Sequence, residues 1–200
     1  MSRAYVSQLR DEQSEATRVR IVEAVARVLA RGIVELSVPA VAKEAGVSVA
    51  TVYRHFPTKT DLVLGVSEHV ASLVGTRMED LSLVSLDDLE AKGRDIHRKL
   101  AKLDPALRLA MASPQANRLR RDTRDERLTA NEQMLAPYVT HLSARERRRA
   151  RDLCVVLMSS ATANAFDMLV GSSPEETAAT LTWGIRRIIG NNRRRPRRAR

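Results

Sequence analysis

Two hundred residues are enough chain for a sizeable buried core in one or two domains. Aromatic residues make up only 3% of them, which argues against the stacking platforms of single-strand and RNA binders and favours duplex DNA as a nucleic-acid partner. The formal net charge is +10, but the final eight residues, RRRPRRAR, hold six arginines, so the body carries only about +4. Cys154 is the one cysteine, which excludes an intrachain disulfide and a thiolate zinc site. No signal-peptide pattern and no apolar run of membrane-spanning length occurs, so the expected location is cytoplasmic.

Residues 1–13 lack an apolar face and read as a loose arm or a short helical extension. From Ser14 the periodicity strengthens: Ile21, Val25, Val28 and Leu29 form the buried stripe of a helix ending near Gly32. Ser37 caps the next helix, with Leu36 and Val41 as a hydrophobic staple and Pro39 in the first turn. Its hydroxyl serves as a cap alone or also meets a phosphate.

The run from Ser37 to Lys59, SVPAVAKEAGVSVATVYRHFPTK, organises the chain. Val38, Val41, Ala42 and Ala45 give its first helix an apolar face, and Gly46 supplies a residue free to take positive φ in a tight turn. Ser48 opens a second helix that buries Val52 and Phe56 and leaves Ser48, Val49, Ala50, Thr51, Tyr53, Arg54 and His55 outward. Small and hydroxylated residues let a helix sit closely in a major groove, and Arg54 can bond base edges or phosphate. Thr58 with Asp61 forms a capping-box variant, which puts Lys59 in the first turn of a third helix. A cation is disfavoured there by the macrodipole unless an anion lies nearby.

A long helix is expected from Thr58 towards Asp80. Further openings follow at Ser85 with Asp88, Asp104-Pro105, Ser113-Pro114, Ser143 with Glu146, and Ser173-Pro174. These count to nine helices in an all-α chain, with residues 144–171 read as one of them. The divisions are an arm (1–13), a helix-turn-helix DNA-binding domain (14–61), a helical domain (62–190) and a basic tail (191–200). Residues 144–171 and 174–190 pack either as a buried hairpin or as half of an intermolecular four-helix bundle, with Leu157, Ala161, Ala165, Leu181, Ile185 and Ile188 at the seam. Leu107, Met111, Met134, Tyr138, Asn164 and Met168 line an apolar cavity or are plain core.

No P-loop, dinucleotide fingerprint, HExxH pair or nucleophile elbow is present, and the four histidines are scattered. No catalytic residues, metal ligands or cofactors are therefore expected. A weakly specific DNA-coating protein acting through the arginine tail is the alternative function.

The segment Ile21 to Leu64 resembles the TetR (tetracycline-repressor-like) family of transcriptional regulators. Its AKEAGVSVATVYRHFPTK core is close to the family pattern A-x-x-A-G-V-S-x-x-T-[LV]-Y-x-H-F-x-x-K. The resemblance implies phosphate contacts from Tyr53, His55 and Lys59, with Ser37 beside a phosphate. It implies backbone or base contacts from Ser48 and Thr51, and a groove-facing Val49, Ala50 and Arg54. Ala50 departs from the glycine of many relatives, and its methyl could meet a thymine methyl. The resemblance also implies a homodimer formed by the last two long helices and an effector pocket among the middle ones. The expected function is repression from a palindromic operator that a small molecule relieves.

Overall fold

The computed structural model describes residues 3–32, 36–75 and 88–190, with side chains from residue 8 onward. Among these it is helical and contains no strand. The elements are α1 (Arg3–Ala30), α2 (Val38–Ala45), α3 (Val49–His55), α4 (Lys59–Val74), α5 (Leu89–Ala101), α6 (Pro105–Met111), α7 (Pro114–Asp122), α8 (Arg124–Leu135), α9 (Ala144–Leu157), α10 (Ser160–Ala165) and α11 (Pro174–Gly190). A 3₁₀ turn covers Ala136–Tyr138 and a π turn Phe166–Val170. The Ser85 cap, residues 76–80 of the expected long helix and the arginine tail lie outside the described residues.

Eleven helices among the described residues exceed the expected nine because two expected helices are broken. Thr123 separates α7 from α8. The expected 144–171 helix stops at Leu157, where Ser159 takes an extended backbone and accepts from the Thr162 N–H at 3.2 Å, starting α10 afresh. A serine that can cap competes with helix continuation, which the apolar run around it conceals. Of the two readings of the first thirteen residues, the described part follows the helical extension, continuous with α1 from Arg3.

Most expected caps form. Ser37, Ser48, Asp104, Ser113, Ser143 and Ser173 each accept a first-turn N–H, and Ser143 with Glu146 completes a reciprocal capping box. That box holds the Glu146 carboxyl below the usual range, first through the Ser143 hydroxyl.

The described residues gather into two compact units, one drawn from Met1–Leu73 and Leu103–Asp122, the other from Val74–Lys102 and Thr123–Arg200. In the first, α1 buries Ile21, Val22, Val25, Val28 and Leu29 against α2 and α6. Glu44 of α2 bonds Arg27 at 2.8 Å and Arg31 at 2.5 Å, clamping α2 to the end of α1 and holding its own carboxyl low, with Arg31 the larger influence. The packed unit thus runs past residue 61 to Leu73 and takes in Leu103–Asp122, since α6 lies on α1.

The second unit is centred on α5 packed along α11, with α8 and α9 completing it. Its core joins Leu89, Met134, Leu135, Val139, Ala150, Cys154, Ile185 and Ile189. Cys154 is wholly buried, and burial pushes its thiol up to about 11, so it behaves as a small apolar side chain. Arg98 of α5 bonds Glu175 of α11 at 2.9 Å across this packing.

Candidate nucleic-acid interface

The turn between α2 and α3 is built by backbone conformation. Gly46 sits at φ 65°, ψ 39°, a left-handed position that costs a side-chain-bearing residue roughly 1 kcal/mol or more. The Val47 N–H reaches back to the Ala42 carbonyl at 3.0 Å, and the Gly46 N–H donates to Lys43 at 3.3 Å, closing the end of α2. Ser48 then turns extended, and its Oγ accepts from the Thr51 N–H at 3.0 Å. The Ser48 and Thr51 hydroxyls also share a 2.9 Å hydrogen bond, which fixes both at the mouth of α3.

α3 buries Val52 completely, and Phe56 just after it is 2% exposed. Phe56 leaves helical geometry at φ −138°, ψ 92°, which suits a residue that precedes a proline. Its ring is held from two sides. The Arg18 guanidinium of α1 lies 4.6 Å above the ring centroid and bonds Glu68 of α4 at 2.7 Å, tying three elements together. Gly65 of α4 approaches so closely that a Cβ there would stand 2.6 Å from Phe56 Cε1, so α4 can cross this ring only because residue 65 has no side chain. Neither Arg18 nor Gly65 was singled out by sequence, since their partners lie far away along the chain.

With Val52 and Phe56 inward, Ser48, Val49, Ala50, Tyr53 and Arg54 are exposed, and Thr51 and His55 are half-buried. Tyr53 is 48% and Val49 39% exposed. Thr58 and Asp61 exchange cap bonds, the Thr58 N–H to the carboxylate at 2.9 Å and the Asp61 N–H to the hydroxyl at 3.1 Å. Lys59 is thereby exposed in the first turn of α4, and Ser37 is exposed at the start of α2.

Burial, followed by the Arg54 and Arg18 charges, pushes the His55 imidazole below its ordinary pKa range. A pKa lower in the folded than in the unfolded chain means that the unfolded chain binds more protons across that interval. Stability is therefore present above the unfolded value and falls as pH drops below about 6.5. His97, depressed by burial, acts in the same direction. In urea titrations between about pH 5.5 and 7.5, His55→Gln should make this fall shallower without abolishing it.

The six proposed pocket residues fall in different units, Leu107 and Met111 in the first and Met134, Tyr138, Asn164 and Met168 in the second. Asn164 is exposed rather than enclosed, and Met168 is 77% exposed. The buried amide of the second unit is instead Asn131, whose Nδ2 donates to the Arg127 carbonyl at 3.0 Å. The residues of the expected dimer seam differ in burial. Leu181 and Ile185 are buried inside the second unit, Ile188 packs partly against its core, and Leu157 rests by Gly184 of α11. Ala165 is half-buried and Ala161 exposed. The apolar residues facing outward are Leu153, Val156, Met168, Leu169, Val170 and Trp183.

Among the described residues no group of His, Cys, Asp and Glu side chains could hold a metal ion, and no single helix is long and apolar enough to cross a membrane.

Residues 21–66 match the family model of bacterial regulatory proteins, tetR family. Several solved structures share the fold. One is NalD of Pseudomonas aeruginosa, the secondary repressor of the MexAB-OprM multidrug efflux pump, at 20% identity and a TM-score of 0.55 over 90% of this chain and 99% of that one. Another, from Mesorhizobium loti and assigned to the TetR family, gives 18% identity and a TM-score of 0.53 over 88% and 97%. A transcriptional regulator of Rhodococcus sp. RHA1 gives 23% identity and 0.50 over 86% and 95%. No curated protein matches in sequence.

Proposed function

The chain belongs to the tetR family of bacterial regulatory proteins, DNA-binding regulators of transcription, and from that premise we propose that it is a cytoplasmic homodimeric repressor released from a palindromic operator by a small-molecule effector. The observation that carries the reading is the outward set on α3, Ser48, Val49, Ala50, Tyr53 and Arg54, next to Lys59 at the start of α4. In this reading α3 enters the major groove, Val49 and Ala50 meet base edges, and Arg54 bonds a base or phosphate. Tyr53, His55 and Lys59 bind phosphates, joined by the Ser37, Ser48 and Thr51 hydroxyls. That NalD is a repressor favours the same sign of regulation here.

Two copies present two recognition helices to half-sites about one DNA turn, roughly 34–36 Å, apart. The exposed apolar side chains Leu153 and Val156 of α9 and Trp183 of α11 supply the contact between copies. An effector acts by binding one of two spacings of the recognition helices more tightly. About 5.5 kcal/mol of difference takes the population from 1:99 to 99:1.

Footprinting on duplex from the regulator's own upstream region, at near-physiological salt with scrambled competitor, tests the reading. A discrete protected palindrome is expected, weakened at least tenfold by Tyr53→Ala or Lys59→Ala, in the range of one or two lost charge-assisted contacts. Equal affinity for scrambled DNA, unchanged by either substitution and lost on deleting residues 193–200, would move the function to the tail.

A further inference from the structure

Helix α7 comes more than fifty residues after the helix-turn-helix in sequence, yet it belongs to the same compact unit. An open cleft of about 240 Å³ lies where it meets the start of α4. Lys59, Thr60 and Val63 line one side, and Gln115, Arg118 and Asp122 are on the other. Lys59, Arg118 and Asp122 are all exposed. Among the described residues neither Lys59 nor Arg118 forms an ion pair with a carboxylate within 4 Å, although Asp122 lines the same cleft. Two cations therefore face one carboxylate, at the end of α4 where the first-turn N–H groups have no intrahelical acceptor and the helix dipole is positive.

That combination suits a monoanion held between two elements. We propose that the cleft is a second phosphate-binding subsite, in which Arg118 contacts the DNA backbone beside the phosphate taken by Lys59. The proposal rests on the DNA-binding reading above and extends it beyond the helix-turn-helix. The backbone is chosen over a free anion because Lys59 belongs both to the cleft and to the outward face beside α3, so an occupant of one is continuous with the other. Arg118 touches phosphate only, so it adds affinity without base preference. Asp122 opposes it.

The test is the salt dependence of duplex binding by the full chain. Each phosphate contact contributes about 0.9 to the slope of log K against log salt. Arg118→Gln should reduce that slope by about 0.9 and weaken operator and scrambled duplex together by roughly 3–10-fold. Asp122→Asn should strengthen both by about 2–3-fold, a gain that a misfolded variant does not imitate. An unchanged slope for Arg118→Gln overturns the proposal. So does inorganic phosphate that binds, by calorimetry, in an Arg118-dependent way while the DNA slope stays the same, since the site then serves a free anion. Lys59→Gln measured in parallel separates the two levels. If Lys59→Gln lowers the slope and Arg118→Gln does not, only the second subsite fails. If neither does, the assignment of the α3–α4 face to DNA fails with it.

Discussion

Phe56→Ala is expected to destabilise the first unit by about 3–5 kcal/mol, a large share of the roughly 5–15 kcal/mol that holds a typical domain. The ring is 2% exposed, and several groups are arranged around it. Gly65, with Val22 near it, comes up to the ring edge, Arg18 lies over the ring, and the Phe56 N–H donates to the Val52 carbonyl at 2.8 Å to finish α3. Truncation leaves a cavity that a helical glycine cannot refill and removes the aromatic face that Arg18 covers. The ring packs between the end of α3 and α4, so duplex affinity should fall as well where the variant remains folded. Urea denaturation followed by circular dichroism measures the first effect. Tyr53→Ala is the control: its side chain is 48% exposed, so stability should change by no more than about 0.5 kcal/mol while DNA binding weakens as above. A loss below about 1 kcal/mol for Phe56→Ala would show that the unit is not braced through this residue.

The second large effect concerns association. Val156 is 58% exposed on α9, where Leu153 is 45% exposed, and Trp183 of α11 is 61% exposed. If two copies meet here, Val156→Asp places an unpaired carboxylate in a buried contact. Dimer dissociation should become easier by about 3 kcal/mol or more, over a hundredfold in Kd. Helix content should be unchanged, because the valine contributes little to the interior of its own chain. Ile185→Asp serves as the contrast: that side chain is 2% exposed within the second unit, and a charge there should unfold the unit. Sedimentation equilibrium on both variants distinguishes the cases. A Val156→Asp protein that dimerises as tightly as the parent sinks the proposed surface.

The helix-turn-helix was legible because its constraints are local. A serine three residues from the N–H it caps, a glycine at a left-handed turn, and apolar residues at helical spacing all act within a few positions, and Ser37, Gly46, Ser48 and Thr58 behave accordingly. The second unit was less legible. Its helices carry apolar residues on more than one side, and periodicity alone does not say which stripe meets its own chain. Leu181 and Ile185 are buried, whereas Val156 and Trp183 are among the apolar side chains left in solvent. Periodicity likewise does not separate Asn164, which is exposed, from Asn131, which is buried.

Composition, capping and the AGVS turn thus determined by themselves that this is an all-α chain with a three-helix DNA-reading unit near its start. Tertiary structure alone decided that α7 packs into that unit, that Arg18 and Gly65 meet at Phe56, and which faces of α9 and α11 stay open. Short-range hydrogen bonds and backbone angles are encoded where they act. A buried contact between distant helices depends on how the remaining side chains fill space, and that is settled only when all of them are packed at once.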